Sequence, residues 1–291
     1  MNTSFPRRLI EPGPGIPGIE VLEAGAADGA PLLFFHGWPS GAVQGAGYDP
    51  DARALGIRII ALNRPGIGRS APDPAHTIKD WPRRVGAVAD AMGIRRFRVL
   101  GVSGGGPYAL AAAWGLPDRV IACGVVSGAP PLSDKLRSRD LFWFYRFLIA
   151  LKDRFPAVAE GGLTALDPLL RRPLPDWFIG GSGLVMPPRD VEAARSPAAV
   201  VSFLGFREAM DNGARAVMND GSHYTVPWGF DPAEIRVPVR FWHGTRDHNF
   251  SWTLVRELAA RIPGAEAEFP EGDGHYSISL LRQRETLEAL L

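Results

Sequence analysis

The stretch RRFRVLGVSGGGPYALAAAWG, residues 95–115, decides the fold. It starts with alternating bulky residues, turns through glycines around Ser103 and continues as an alanine-rich run. The apolar residues at 97–102 predict a strand, and those at 107–114 predict a helix. The chain must reverse within about four residues between them, which predicts a strained backbone with positive φ at Ser103.

Ser103 is the centre of a G-x-S-x-G pattern whose outer glycines are Gly101 and Gly105. A chain with 34 glycines can contain such a pattern by chance, so the pattern alone is weak. The strand before it and the helix after it supply the setting in which this motif presents a reactive hydroxyl. The N–H groups at the helix start then point to where negative charge develops. We therefore predict that Ser103 is a nucleophile.

Size and charge restrict the functions open to the chain. Its 291 residues lie near the upper limit for one hydrophobic core, which predicts one large domain or one domain with an insertion. The 32 Lys and Arg residues balance 31 Asp and Glu residues, and no block of like charge could follow a phosphate backbone. We expect no nucleic-acid partner, and a monomer or homodimer that binds a small-molecule substrate.

The location of the protein is predicted from its cysteine and its apolar segments. The single cysteine, Cys123, lies in the apolar run VIACGVV, which indicates a buried residue and suits a reducing compartment. The N-terminus lacks the apolar core of a signal peptide. The segment 141–155 is interrupted by Arg146 and Lys152 and is too short for a stable membrane span. We expect a cytoplasmic protein in which this segment is a buried or groove-lining helix, with a membrane-touching helix as the alternative.

Short continuous apolar runs alternate with helical patterns at both ends of the chain. Such runs are typical of strands covered on both faces, with the helices as crossovers. They predict an α/β fold with a doubly wound, mostly parallel sheet. The alternation stops after Pro131 and resumes near Ile235, so we predict a core of residues 1–130 and 235–291 and an inserted helical cap at 131–234. The predicted strands lie in IEVLEAG, PLLFFHGWP, IRIIALNRPGIG, FRVLGVSG, VIACGVVSGAP, VPVRFWHGTRD and AEAEFPEGDGH.

A serine hydroxyl needs a base within reach, and the base needs an orienting group. Of the six histidines, His275 follows the last predicted strand through a glycine-rich loop that leads to the carboxyl edge of the sheet. Asp247 leaves the preceding predicted strand at the same edge, which gives the chain order Ser103, Asp247, His275. The alternative for His275 is a solvent-exposed loop residue. The alternatives for the orienting carboxylate are Asp134, Asp220 and Asp273.

Five segments resemble the successive signature blocks of the α/β-hydrolase superfamily, in its branch of capped esterases, peptidases and related small-molecule enzymes. They are FFHGWPSG, NRPGIGRS, GVSGGGPYAL, WGFDPAEIRVPVRFWHGTRD and GDGHYS. The resemblance covers about residues 20–130 and 228–291 and implies the α/β-hydrolase fold.

The resemblance also implies a role for each residue of the site. Ser103 would be the nucleophile, His275 the general base and then acid, and Asp247 the carboxylate that holds the imidazole. The oxyanion hole would consist of the backbone N–H groups of Trp38 and Gly104. The HGGG form of the oxyanion loop, found in some lipases and esterases, is absent.

The identity of the nucleophile narrows the reaction. Alkylation of Ser103 would give an ether with no carbonyl for water to attack, which argues against dehalogenase and epoxide hydrolase chemistry. We predict a serine hydrolase that cleaves a carboxylic ester or a related acyl bond through an acyl-enzyme and needs no metal or organic cofactor. The alternatives are carbon–carbon bond hydrolysis, perhydrolysis, a cofactor-free lyase or cyclase step, and a non-catalytic small-molecule receptor.

Aromatic residues in the insertion favour a small, largely apolar substrate, although any single one could instead belong to the core of the cap. An aminopeptidase is a minority alternative, because the elbow lacks the G-G-S-W-G form of proline iminopeptidases. Its ammonium-binding carboxylates would be Glu160, Glu192 and Glu208. The predicted pocket residues are Phe142, Trp143, Tyr145, Phe206 and His248.

Overall fold

The computed structural model describes residues 5–133, 143–171 and 186–291, without the side chains at 143–145, 148 and 170. The strands of this part of the chain form one eight-stranded sheet. They are β1 (Arg7–Ile10), β2 (Ile19–Gly25), β3 (Ala30–Phe35), β4 (Ile57–Leu62), β5 (Phe97–Val102), β6 (Val120–Val126), β7 (Val239–Trp242) and β8 (Glu266–Glu268).

The sheet has the order β1-β2-β4-β3-β5-β6-β7-β8. β2 is antiparallel to both of its neighbours, β1 and β4, whereas every pairing from β4 to β8 is parallel. The predicted doubly wound, mostly parallel sheet is confirmed. β1 was not predicted, because its sequence RRLI is short, starts with two charged residues and forms an exposed edge without an apolar run.

Along the chain, the helices of the described residues lie between β3 and β8 and after β8. They are α1 (Asp49–Ala54), α2 (Trp81–Ala91), α3 (Gly106–Gly115), α4 (Trp143–Arg154), α5 (Pro156–Leu170), α6 (Pro188–Arg195), α7 (Val200–Met210), α8 (Ala214–Ser222), α9 (Trp252–Arg261), α10 (His275–Leu281) and α11 (Gln283–Glu288). Helices α4 to α8 fall between β6 and β7, within the segment predicted as a cap. The predicted domain boundaries themselves stay a prediction.

Successive residues of the central strands belong to two different apolar clusters. On β3, Leu33 and Phe35 pack into one cluster with residues of α2, α3 and α9. Leu32 and Phe34 pack into the other with residues of α1, α10 and α11. Side chains alternate between the faces of a strand, so these strands are buried on both sides. That double burial explains why they read as continuous apolar runs.

The exposure of individual side chains tests the expectations for Cys123 and for the described part of the segment 141–155. Cys123 is fully buried in β6, and this burial raises the pKa of its thiol well above the ordinary value. In α4, by contrast, the Phe147 side chain is 53% exposed and Arg146 is exposed as well, so this part of the predicted buried or groove-lining helix faces solvent. None of the helices in the described ranges is long and apolar enough to cross a membrane.

Candidate active site

Ser103 stands directly after β5 and has the positive φ, 53°, that the sequence predicts. A 3₁₀ turn over Ser103–Gly105 joins β5 to α3. The flanking glycines leave no room for side chains: a Cβ on Gly101 would lie 2.3 Å from the Gly105 carbonyl oxygen, and one on Gly105 would lie 2.0 Å from that of Phe35. Close backbone approach therefore requires glycine at both positions and holds the hydroxyl at the carboxyl edge of the sheet.

Three side chains form a continuous hydrogen-bonded series. The Ser103 hydroxyl lies 2.9 Å from His275 Nε2, and His275 Nδ1 lies 2.8 Å from Asp247 Oδ2. The carboxylate accepts from Nδ1–H, which leaves Nε2 of the neutral ring to accept from the hydroxyl. His275 and Asp247 are buried, whereas Ser103 is partly accessible. The parallel sheet brings the three together, because each follows the carboxyl end of a strand.

Asp247 is held by the backbone that follows it. Its Oδ1 accepts N–H groups from Asn249 at 2.7 Å and from Phe250 at 3.0 Å. His243 Nε2 lies 3.2 Å from Asp247 Oδ2 and 3.0 Å from the carbonyl oxygen of Phe250. Burial alone would raise the pKa of Asp247, but His275, His243 and the hydrogen bonds lower it, so the carboxylate stays charged. Burial keeps the pKa of His243 low, which makes this histidine a neutral donor.

The pKa of His275 results from opposing influences. Burial of the imidazole lowers it, but the charge of Asp247, the hydrogen bond to Asp247 and the charge of Asp190 together raise it above the ordinary 6.5. A raised pKa makes the ring a stronger proton acceptor. The site can therefore draw a proton from the serine hydroxyl and hold the resulting imidazolium beside a carboxylate.

Trp38 and Gly104, the residues predicted for the oxyanion hole, are neighbours across the elbow. A Cβ built on Gly104 would lie 3.1 Å from the Trp38 Cβ, and one built on Gly37 would lie 3.3 Å from the Ser103 Cβ. The Trp38 indole Nε1–H donates to the carbonyl oxygen of Val217 in α8 at 2.8 Å. The loop after β3 thus lies against Ser103 and is tied to a helix of the segment predicted as a cap.

A buried ion pair supports the same loop. The Arg64 guanidinium forms two bonds to Asp220, from Nε to Oδ1 at 2.6 Å and from Nη2 to Oδ2 at 2.7 Å. It also donates to the carbonyl oxygens of His36 at 2.5 Å and Gly37 at 2.8 Å. Burial and the charge of Arg64 hold the pKa of His36 well below its usual range, so His36 is neutral. Asp220 therefore supports, through Arg64, the loop of His36, Gly37 and Trp38, which is the predicted oxyanion loop.

The carboxylates considered for binding an ammonium group are engaged elsewhere or exposed. Glu208 is buried and accepts the Val43 N–H at 2.9 Å and the Asn63 side-chain amide at 2.8 Å, and it also contacts Arg7. Glu160 lies 3.2 Å from Arg215 at the surface, and Glu192 is exposed on α6. The geometry does not support the aminopeptidase alternative. These contacts between distant segments give no local pattern that sequence reasoning could have found.

Two of the other candidates for the orienting carboxylate are paired with arginines. Asp220 is paired with Arg64, as described above. The Asp273 carboxylate lies 2.8 Å from Arg189 and accepts from Arg282 at 2.7 Å. Asp134 lies outside the described residues. The strand-end position of Asp247 thus distinguishes it from its alternatives.

The predicted pocket residues have different surroundings. Phe142 lies outside the described residues, and the side chains of Trp143 and Tyr145 do as well. Phe206 packs with Trp38 against a small apolar cluster. His248 is exposed beside Asp247. Their role in a pocket stays a prediction.

Tyr224, which sequence reasoning did not single out, lies beside the predicted oxyanion hole. A Cβ on Gly104 would approach the Tyr224 hydroxyl oxygen to 2.5 Å. The hydroxyl is buried and has no hydrogen-bond partner within the described residues. Burial raises its pKa, so the phenol is neutral and able to donate a hydrogen bond.

Comparisons with known proteins agree with the observed fold. A model of the alpha/beta hydrolase family matches residues 32–289. The non-heme chloroperoxidase of Streptomyces lividans is 35% identical over 113 residues, which are 38% of this chain and 41% of that protein. The proline iminopeptidase of Neisseria gonorrhoeae is 34% identical over 105 residues, 34% of this chain and 32% of that protein. The matched region thus spans less than half of either relative.

Solved structures share the fold over nearly the whole chain. Est816, described as an N-acyl homoserine lactone degrading enzyme, has a TM-score of 0.69 at 20% identity and covers 98% of this chain and 100% of its own. The bromoperoxidase from Bacillus anthracis has a TM-score of 0.72 at 14% identity, covering 98% and 99%. At sequence identities this low, the structural similarity shows the shared fold alone. With the family match over most of its length, the chain belongs to the alpha/beta hydrolase family.

Proposed function

We propose that the protein is a serine hydrolase that cleaves a carboxylic ester or a related acyl bond in a small, largely apolar molecule. The observation that carries this proposal is the hydrogen-bonded series from the Ser103 hydroxyl through His275 to Asp247, with the serine on a left-handed turn. Such a series activates a hydroxyl for attack on a carbonyl carbon. Membership of the hydrolase family supports it.

The residues act in two half-reactions. His275 Nε2 accepts the Ser103 proton while Oγ attacks the carbonyl, and Asp247 stabilises the imidazolium. The N–H groups of Trp38 and Gly104 bind the oxyanion. The tetrahedral intermediate collapses to an acyl-enzyme as His275 gives its proton to the leaving alcohol. Water, deprotonated by His275, then attacks the acyl group, and Ser103 leaves with the proton returned by His275.

The surroundings of the oxyanion loop favour an uncharged substrate. Arg64, the cation closest to this loop among the contacts described above, is fully compensated by Asp220. Trp38 packs with Phe206 against the apolar cluster of α7 and α8, and the neutral Tyr224 hydroxyl lies beside Gly104. A substrate bound here would meet apolar surface and a neutral hydrogen-bond donor.

A fluorophosphonate probe and p-nitrophenyl acyl esters test the proposal. We expect stoichiometric labelling of Ser103, and we expect Ser103→Ala and His275→Ala each to lower kcat by about four to six orders of magnitude, with Asp247→Ala milder. The matched control is Ser222→Ala, which removes a hydroxyl bonded to the Asn219 carbonyl oxygen and should label normally. Ester turnover that survives Ser103→Ala would overturn the proposal.

Product analysis separates ester hydrolysis from other reactions at the same site. The wild-type protein would be incubated with a panel of esters, lactones and diketones, and the products identified by mass spectrometry. We expect free acid and alcohol from esters with short, uncharged acyl groups. Labelling of Ser103 with turnover of diketones but of no ester would replace ester hydrolysis by carbon–carbon bond hydrolysis.

A further inference from the structure

A carboxylate from α6 holds the start of the helix that carries His275. Asp190 Oδ2 accepts the His275 N–H at 2.9 Å, while Oδ1 accepts the Tyr276 N–H at 3.1 Å and the Ser277 N–H at 2.8 Å. Asp190 is 2% exposed. A charge buried to this degree is tolerated only when it is well compensated, and here three backbone donors converge on it.

The other side of the His275 backbone is fixed as well. Its carbonyl oxygen accepts from the hydroxyls of Ser127 and Ser279, each at 3.1 Å. Because α10 begins at His275, these bonds and those to Asp190 set the position of its Cα atom. From that position the His275 ring contacts both Ser103 and Asp247. Displacement of a catalytic group by about 1 Å can lower the rate about a hundredfold.

Helix α6 holds the preceding loop through a second contact. Arg189 Nε lies 2.8 Å from Asp273 Oδ1, and Arg282 donates to the other oxygen of the same carboxylate. Two consecutive residues of α6 therefore bind residues on both sides of Gly274. Helix α6 lies in the segment predicted as a cap, whereas Asp273 and His275 follow β8 of the sheet.

We propose that Asp190 is a positioning residue, through which the segment between β6 and β7 sets the place of the catalytic base. This inference rests on the proposed function of His275. The carboxylate acts on the reaction only through His275, since its hydrogen bonds are to backbone N–H groups of α10.

The negative charge of Asp190 also acts on the pKa of His275, in a direction that can be tested. The charge of Asp190 favours protonated His275 and thus contributes to raising the pKa of the imidazole. The titratable groups that face His275 are Asp247 and the neutral His243 from the loop after β7, Asp190 from α6, and Tyr276 beside it on α10. Removal of the Asp190 charge should lower the pKa of His275, so the acid limb of activity should move to lower pH.

Two variants of Asp190 separate charge from geometry. Asp190→Asn removes the charge and places an amide among three N–H donors, so we expect kcat to fall by up to about a hundredfold with little change in KM. Asp190→Glu keeps the charge but changes its reach, so we expect a lower kcat with the acid limb close to its wild-type pH. The matched control on the same helix is Glu192→Gln, whose side chain is exposed and which should change neither.

The pKa of His275 can also be followed without any substrate. NMR titration of ¹³C-labelled histidine, with the His275 signal assigned by its loss in His275→Gln, measures this pKa directly in folded protein. We expect a lower value in Asp190→Asn than in wild type or Glu192→Gln. If Asp190→Asn fails to fold, the Asp190→Glu variant still tests the positioning through kcat and the rate of fluorophosphonate labelling.

The outcomes distinguish this inference from the proposed function. A folded Asp190→Asn protein with wild-type kcat and an unchanged His275 titration would overturn the inference. So would a variant that loses only thermal stability, since a purely structural helix cap predicts that result. A wild-type protein that turns over no ester but shows the expected His275 titration would contradict the proposed function and leave the coupling to Asp190 standing.

Discussion

The two halves of the segment between β6 and β7 are attached to the rest of the molecule in different ways. In the second half, α6 to α8, three buried carboxylates bind residues of the sheet domain: Asp190, Glu208 and Asp220. In the described part of the first half, α4 and α5, the side chains of Phe147, Val158 and Leu169 are more than half exposed. The second half is therefore joined to the sheet by buried contacts beside the candidate active site, whereas the described helices of the first half expose large apolar side chains to solvent.

The ion pairs of the two halves show the same contrast. Arg64 and Asp220 are each almost completely buried, and Arg64 also binds the carbonyl oxygens of the predicted oxyanion loop. Leu163 of α5 makes an apolar contact with the cluster of α7 and α8. The ion pair between α5 and the second half joins Glu160 to Arg215, whose side chain is 76% exposed. Exposed pairs of this kind contribute little, about 0–1 kcal/mol, because solvent screens them. Substitutions of the buried carboxylates in the second half should therefore lower stability, and those of exposed side chains in the first half should not.

Asp220→Ala should have the largest effect. It leaves Arg64 buried without its counter-charge, which costs about 3–5 kcal/mol of unfolding free energy. It also releases the guanidinium that binds the carbonyl oxygens of His36 and Gly37, so kcat should fall in the protein that remains folded. Urea unfolding and ester turnover measure both effects. The matched control is Asp211→Ala, an exposed aspartate 3.3 Å from Arg171, and equal losses in the two variants would erase the contrast.

Glu208→Ala should have a smaller effect. It leaves the Val43 N–H without its acceptor and the Asn63 side-chain amide with Glu20 as its remaining acceptor, which costs about 1–3 kcal/mol. Because Glu208 binds Val43 and Asn63 rather than Trp38 or Gly104, we expect the loss in stability to exceed the loss in kcat. Chemical denaturation measures the loss in unfolding free energy, with Glu192→Ala, at an exposed position of α6, as the control. A stability equal to that of the control would mean that the buried contacts of Glu208 contribute nothing.

The pH dependence of catalysis should reflect the charges around His275. Since the base must be neutral, kcat/KM should fall as the pH decreases through the raised pKa, with a midpoint above 6.5. The effect on stability has the opposite sign: protonated His275 contributes stability below pH 6.5 that is lost as the pH rises through its folded pKa. The pH dependence of kcat/KM and that of stability can be compared by rate measurements and thermal unfolding at about pH 5 to about pH 9, which brackets the unperturbed histidine pKa of about 6.5. An acid-limb midpoint below 6.5 contradicts the prediction.

Leu169→Ser should have the smallest effect. Its side chain is 63% exposed on α5, so the substitution removes little buried surface and should change the unfolding free energy by no more than about 0.5 kcal/mol. Turnover of p-nitrophenyl esters should also stay unchanged. A loss of more than about 1 kcal/mol would show that α5 is packed more tightly than its exposure indicates.

The sheet and the elbow could be predicted because their signals are local. Apolar runs, most of them continuous, indicated the strands from β2 to β8, and small residues around Ser103 indicated the turn. His275 and Asp247 were found from their order along the chain, since a parallel sheet brings its carboxyl ends to one edge. That rule needs no knowledge of side-chain contacts. The fold prediction is confirmed, and the catalytic roles remain the proposal made above.

The buried carboxylates could not be predicted because their partners are distant in sequence. Asp190 lies 85 residues before His275, and Asp220 lies 156 residues after Arg64. No period or motif marks an acidic residue as buried when its compensation comes from backbone N–H groups or from an arginine on another segment. Asp220 was considered only as a partner of the histidine. Its actual partner, Arg64, follows β4 and becomes its neighbour only in the folded chain.

Because Cys123 is buried, each half of the segment between β6 and β7 can be labelled separately through an introduced cysteine. Cys123 is the single cysteine of the chain, and its burial in β6 keeps the thiol protonated and out of reach of reagents. A cysteine introduced at Leu169 would thus be the sole site for a spin label or fluorophore, and one at Glu192 would serve the other half. A reporter on each helix would compare their motions without altering the native thiol.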